Sequence, residues 1–261
     1  MTAPVSGIHL ANSEPGQVSR LLVTRRDPDT REYHSVGFLS WQGGRYRFAY
    51  LKSMAESGTF RPLPGFPSGG LAYESTSLFP IFAERIMSPR RPDRPFVMDA
   101  LGLGLDAPPF EVLARSGGRR VGDTIELVPV PVPSPDGTVS VDFFVHGVRH
   151  MTPEAQVRIT SLMQDEPLRL IAEPDNAVES RAVLVTDLDE VRLGYVPTPL
   201  LDLVHNMEHP TATVLRANGP RVGFHFRLLV RTHGSLQGVV PFVGPQWDTV
   251  VDSGVHSLAL T

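Results

Sequence analysis

Phe143-Phe144-Val145-His146-Gly147-Val148-Arg149-His150 opens the stretch on which the reading of this chain turns. It is followed in order by Leu170-Ile171-Ala172-Glu173-Pro174-Asp175-Asn176, Arg181-Ala182-Val183-Leu184-Val185 and Leu193-Gly194-Tyr195-Val196-Pro197. Short apolar runs punctuated by Gly, Pro, Asn and Asp read as short strands joined by turns, because Gly frees φ, Pro fixes it, and Asn or Asp side chains close a turn on their own backbone. Glu173-Pro174-Asp175-Asn176 reads as a tight connection between two strands, and Gly194 and Tyr195 as turn and core residues. His146 and His150 are four apart, a spacing that shares a face on a helix but not on a strand followed by a loop, so no metal site is expected there.

The rest of the composition agrees with a β-rich protein. In 261 residues there are 25 Pro and 23 Gly, spread along the chain rather than clustered, which suits many turns better than disorder. A hydrophobic content of 41% and this length fit two ordinary domains with real cores. No apolar run approaches the roughly 20 residues of a membrane helix, and Met1-Thr2-Ala3-Pro4-Val5-Ser6 lacks a basic-then-apolar leader, so a cytoplasmic protein with no membrane partner is expected. The absence of cysteine excludes disulfides, thiol catalysis and Cys-based zinc sites. Of the 24 basic residues 23 are Arg, a bias that suits a GC-rich genome. Residues 1–138 carry 15 Lys and Arg against 14 Asp and Glu, whereas 139–261 carry 9 against 14. Neutralised phosphates dominate nonspecific nucleic-acid affinity, so the acidic second half can bind DNA only through a local basic patch and weakly in salt.

Residues 1–19 have no period and read as a mobile arm. Arg20 to Arg26 and Tyr33 to Trp41 read as paired strands around the turn Asp27-Pro28-Asp29-Thr30. A second hairpin at Gln42-Gly43-Gly44 leads into Arg45 to Tyr50, with Tyr46, Phe48 and Tyr50 on one face. Leu78 to Ile86 has helical spacing with Pro80 in its first turn, and further short helices are expected at Phe96 to Leu101 and Pro109 to Ala114. Val128-Pro129-Val130-Pro131-Val132-Pro133 alternates proline with valine, which opposes regular ladder pairing and reads as a semi-rigid linker over 128–138. Val222 to Arg231 alternates as a strand, and Val239 through Trp247 to Val251 reads as a tail packed on the same second-half sheet.

The ordered words from Phe143 to Pro197 resemble the HIRAN domain, covering about a quarter of the chain. The resemblance implies an OB-like β-barrel and capture of single-stranded DNA ends, in a family that accompanies helicase-like proteins and also occurs alone in bacteria. Its Arg-aromatic pair that grips the backbone corresponds here to Arg149 and His150, where arginine can pair with phosphate and the imidazole can stack. The family's Asn-Pro-Tyr-Asp loop is matched by Asp175 and Asn176, but Ala177, Val178 and Glu179 replace its Pro, Tyr and Asp. Stacking is worth roughly 1–3 kcal/mol per base, so the missing aromatic removes one to two decades of affinity. The implied nucleic-acid contacts are therefore Arg149, His150, Asn176, Glu179 and Arg181. Each has a structural alternative: Asn176 and its neighbours simply close a turn, or Arg149 forms an ion pair with Glu173 or Glu179.

The first half is similar to the small N-terminal subdomain of HipA-type toxin kinases, in Val36-Gly37-Phe38-Leu39, Arg47-Phe48-Ala49-Tyr50, Arg61-Pro62-Leu63, Leu78-Phe79-Pro80-Ile81-Phe82, Leu101-Gly102-Leu103 and Phe110 to Gly118. That likeness implies recruitment of a kinase-like or helicase-like protein and does not include a catalytic core. The expected organisation is an arm (1–19), a HipA-like module (20–127), the linker (128–138) and a HIRAN-like domain with an extension (139–261), an α+β, β-rich chain. A secondary basic patch is expected at Arg90, Arg91 and Arg94, and otherwise reads as a solvated charge run. No nucleophile elbow or phosphate loop occurs, so no enzyme activity, cofactor or catalytic residue is expected. His205 and His209, with Glu208, would share a helix face, yet they lack the order that places a general base, and no metal is expected. Two functions follow: a non-catalytic bacterial adaptor binding single-stranded DNA, or a HipA-system-like antitoxin, a kinase-restraining subunit that binds no nucleic acid.

Overall fold

In a computed structural model, residues 19–30, 32–58, 60–120, 122–236, 238, 240–250 and 256–257 are described. The expected arm, apart from Ser19, lies outside them. Arg20 to Tyr50 forms an antiparallel meander of β1 (Arg20–Arg26), β2 (Tyr33–Gln42) and β3 (Arg45–Tyr50). β4 (Ala72–Ser75) pairs with β3 and β5 (Ile125–Pro129) pairs with β1. Successive strand residues face opposite sides, and β1 is apolar on both. Leu21 and Val23 enter a core with Phe48, Tyr50, Phe66, Phe79, Phe82 and Phe110, while Leu22 faces the second half of the chain.

Four short helices, α1 (Lys52–Ala55), α2 (Pro80–Ala83), α3 (Arg94–Ala100) and α4 (Pro109–Ser116), connect the strands of this half. Pro80 and Pro109 open α2 and α4, where a missing N–H costs nothing, and Gly117 ends α4 at φ 68°. The helix expected from Leu78 is thus confined to a single turn.

The second half contributes β6 (Thr138–Phe144), β7 (Pro167–Glu173), β8 (Ala182–Thr186), β9 (Arg192–Tyr195), β10 (Glu208–Ala217) and β11 (Leu228–Ser235). They form a six-stranded sheet in the order β6-β11-β10-β7-β8-β9, with α5 (Pro153–Ser161) and α6 (Leu201–His205) in its connections. The protein is β-rich α+β, with two sheets among the described residues, one of them curled into a half-barrel. Its edges touch at one residue pair. His146, two residues past β6, and Tyr195 of β9 exchange both backbone hydrogen bonds at 2.9 Å.

The two halves share a core. Val128 and Val130, with Leu22 and Phe38, join a cluster that includes Val141, Val185, Leu193 and Val230. The proline-rich segment therefore begins as a paired strand: Pro129 stands opposite Leu21, and the Val130 amide donates to the Arg20 carbonyl at 3.0 Å. β5 is an edge strand, so the missing Pro129 N–H has no ladder partner to lose. The tail meets expectation in part, because Phe242 and Trp247 pack on the cluster that includes the second-half core. Trp247 packs on Phe38 and Phe242, Thr249 bridges Leu51, and β12 (His256–Ser257) pairs in parallel with β4, so the chain returns to the first sheet; Val251 lies outside the described residues.

The strand expected from Val222 begins only at Leu228. Residues Phe224–Phe226 form a 3-10 turn because Asn218 and Arg227 gather its carbonyls. Asn218 Nδ2 donates to Phe226 O at 2.6 Å, and the buried Arg227 donates from Nε to Val222 O at 2.7 Å. His205 ends α6 and His209 lies on β10, so the expected shared helix face does not form. Among the described residues no group of three His, Asp or Glu side chains gathers as a metal site, and no helix is long and apolar enough to cross a membrane.

Closure of the half-barrel depends on Gly194. At φ 141° its backbone approaches His146 so closely that a Cβ would lie 2.4 Å from His146 O and 2.5 Å from Val145 Cγ1. Gly194→Ala is expected to lose at least about 3 kcal/mol of stability, roughly 6–12 °C in Tm, measured by calorimetry. A variant melting within a degree of wild type would show that the edge pairing is dispensable.

Candidate functional site

Gly147, at φ 76°, turns the chain out of the His146–Tyr195 pair and into the 3-10 turn Val148–His150. The turn buries Val148 and exposes Arg149 and His150. Arg149 Nε donates to His150 Nε2 at 2.9 Å. Its terminal nitrogens meet no carboxylate among the described residues, so the expected alternative of a pair with Glu173 or Glu179 is not what the structure contains.

Glu173 is already engaged. Its carboxylate accepts from Arg192 at 2.7 Å, from the Tyr195 hydroxyl at 3.0 Å and from Asn176 Nδ2 at 3.1 Å. The Arg192 guanidinium holds the Glu173 carboxyl below its usual range. Asn176 Oδ1 accepts from the amides of Val178 and Glu179, at 3.0 and 3.2 Å, and Glu179 Oε1 accepts from the Arg181 amide at 3.0 Å. These are turn-closing bonds, so the side chains of Asn176 and Glu179 shape the 173–181 loop. Val178 sits at its tip, 91% exposed. The Arg181 guanidinium pairs with Asp202 at 2.5 Å and remains half-exposed.

The structure sets the 3-10 turn that carries Arg149 and His150 beside β9 and brings Gly147 and the 173–181 loop to one ring, that of Tyr195. Its edge lies beneath Gly147, where a Cβ would stand 3.3 Å from Cδ2, and its hydroxyl reaches the loop through Glu173 and Asn176. Sequence reasoning placed Tyr195 in the core and gave its hydroxyl no role. Arg90, Arg91 and Arg94 do not form a common exposed patch. Arg91 is bidentate to Asp93, and Arg94 is buried, its guanidinium donating to Met87 O at 2.6 Å and Leu105 O at 3.3 Å. The neighbouring basic residues are also engaged: Arg85 with Asp123, Arg115 with Asp142 and Arg120 with Glu84.

A second group, unforeseen from sequence, lies where the two sheets meet. Glu126 of β5, 7% exposed, accepts from Arg119 at 3.0 Å and lies 3.2 Å from His146 Nε2. Arg119 also reaches His146 Nε2 at 3.0 Å and His225 Nδ1 at 2.7 Å. Arginine only donates, so His225 Nδ1 accepts. Burial would raise the Glu126 pKa, but His146 and Arg119 beside it overcome that and hold the carboxyl far below its usual range. Tyr33 faces the same carboxylate; burial first, then Glu126, pushes its phenol up to about 12. Burial and then the Arg119 charge lower the His225 pKa. The half-open space here is about 40 Å³, room for a few waters. No sequence motif marks these residues, which are separated by up to 106 positions.

No family model matches the chain, and no curated protein matches it. Among solved structures, one of a protein from Lactobacillus plantarum is 20% identical over 38% of this chain and 99% of its own, with a TM-score of 0.30. The HIRAN domain of human HLTF is 17% identical over 44% of this chain and 93% of its own, also with a TM-score of 0.30. At that TM-score neither likeness carries an argument about this chain.

The seam makes stability depend on pH in a known direction. A carboxyl held low in the folded chain is ionised there while the unfolded chain takes up a proton, so its stabilisation is complete above the ordinary glutamate value of about 4.3 and is lost as pH falls below it. Glu126→Gln is expected to cost about 2–3 kcal/mol at neutral pH, a penalty that shrinks toward pH 3 in urea denaturation. A penalty constant over that range would show that the carboxylate charge is not what stabilises the seam.

Proposed function

We propose that this chain is a non-catalytic bacterial adaptor whose second half binds single-stranded nucleic acid, with DNA ends as the favoured ligand, while the first half recruits a protein partner. The observation that carries this reading is Arg149: an exposed guanidinium on a glycine-turned 3-10 helix, held by the His150 ring and without a carboxylate partner among the described residues. Its availability contrasts with Arg158, Arg169, Arg181, Arg192, Arg216 and Arg231, which all pair with Asp or Glu. An arginine already matched to a carboxylate must give up that partner to take a phosphate; Arg149 has none to give up. The order of HIRAN-like words around it supports the same reading. Asn176 and Glu179 would act by shaping the loop beside Arg149, and Arg181 would contribute charge only by releasing Asp202.

The acidic surroundings set the expected strength. One or two phosphate contacts give weak, salt-sensitive binding, and each contact contributes about one unit to the slope of log affinity against log salt. Fluorescence anisotropy with labelled single-stranded DNA carrying a free or blocked 3′ end is expected to show binding at low salt and preference for the free end. Arg149→Ala is expected to weaken binding about tenfold and lower the salt slope by about one. Flat traces with wild type at low salt would overturn the reading.

A further inference from the structure

We propose that the outer edge of β4 is the seat at which the first half takes a protein partner, accepting an extended, uncharged segment of that partner as an added strand, with β12 holding the place in cis. The inference rests on the protein-recruitment reading and does not involve Arg149. β4 stands at one side of the first sheet, in the order β12-β4-β3-β2-β1-β5, and among the described residues its outer edge meets β12 and no other backbone. The opposite side is closed by the chain itself, since the Leu127 amide of β5 donates to Gly117 O at 2.8 Å. An open strand edge presents unpaired N–H and C=O groups and is a template for another extended chain.

The cover is slight and the edge is rigid. β12 pairs with two of the four β4 residues, Tyr73 and Glu74, and it does so in parallel, whereas every other strand pair among the described residues is antiparallel. Parallel pairing is the less stable per residue, and two pairs add few bonds. The chain before it is anchored separately: Trp247 packs on Phe38, the Lys52 amide donates to Asp248 O at 2.8 Å, and the Val250 amide donates to Tyr50 O at 3.0 Å. β12 can therefore leave without loosening that anchor. β4 itself stays in place. Ala72, Tyr73 and Ser75 are buried, the Tyr73 ring meets Phe66 edge-on at 4.9 Å, and its hydroxyl donates to Ser68 O at 3.1 Å. A preorganised edge has little ordering left to lose on binding. The chemistry of the partner follows from the surroundings of the edge. Glu74 is matched by Arg47 at 3.5 Å, so this strand has no unmatched charge to ask for an opposite one. The sequence around β12, Ser253 to Thr261, likewise contains no Asp, Glu, Lys or Arg.

The probe is a labelled peptide of Ser253 to Thr261, offered in trans to the full chain and to the full-chain variant His256→Pro/Ser257→Pro, whose own strand lacks the N–H groups to pair. A strand on a short tether competes at an effective concentration of about a millimolar, so in fluorescence anisotropy the variant is expected to bind the peptide about tenfold or more tighter than wild type. Ser257→Pro alone removes one N–H and is expected to fall between the two. The same peptide carrying both prolines is expected to bind none of the proteins. Peptide binding is expected to slow hydrogen–deuterium exchange in residues 72–75, and unchanged melting certifies the fold of each variant. Equal binding by wild type and variants, capture that leaves residues 72–75 unprotected, or no capture at all overturns the seat. Concentration-dependent dimers of the double-proline variant in place of capture assign the edge to a second copy and overturn the partner. None of these results bears on single-stranded DNA binding, so the nucleic-acid reading is tested separately.

Discussion

His146 is held at two ends, and the rest of the molecule is arranged around that double engagement. Its backbone exchanges two hydrogen bonds with Tyr195, drawing β6 and β9 together and closing the half-barrel at a point. Its imidazole lies against Glu126 of β5 and Arg119 of the loop before it, both from the first half. A carboxylate withdrawn from water is stable only when it is paired and hydrogen-bonded, so Glu126 commits both halves of the chain to one relative position. The next residue, Gly147, turns outward and presents Arg149. The exposed arginine is therefore built directly onto the residue pair that closes the second sheet.

The electrostatics of the second half follow from how its arginines are used. An excess of Asp and Glu would repel a polyanion, and most of the guanidinium groups are already matched to carboxylates on the same surface. On the proposed nucleic-acid reading, long-range attraction would be weak and affinity would have to come from short-range contacts such as a charge-assisted phosphate bond at Arg149. The first half contributes by anchoring. Arg119 holds His225, between Phe224 and Phe226, and so reaches into the surface that Arg149 occupies.

Local patterning carried much of the architecture. The alternation of Tyr46, Phe48 and Tyr50 and the prolines opening α2 and α4 are short-range signals, and the elements stand close to where those signals place them. The errors share a cause. Val222 to Arg231 alternates like a strand, but Asn218 and Arg227 bend its first half by taking up backbone carbonyls, an arrangement no periodicity encodes. The valines and prolines from Val128 look like a spacer until β1 is seen to lack a second neighbour, which β5 supplies as an edge strand where proline is tolerated. The resemblance singled out Arg149 and His150, which the structure leaves exposed on one 3-10 turn, and the turn-closing alternative for Asn176 was legible in its chemistry. The seam was not legible, because Arg119, Glu126, His146 and His225 meet only after both sheets have formed.

Hydrogen–deuterium exchange of the full chain, with and without a short single strand at low salt, tests most directly whether one surface built on the His146–Tyr195 closure takes the ligand. Exchange is expected to slow together in residues 147–151, 173–181 and 223–227; the first two border Tyr195, and the third lies beside the first. Slowing confined to residues 88–95 of the first half, or no change in any of the three segments while the strand is bound, would contradict it.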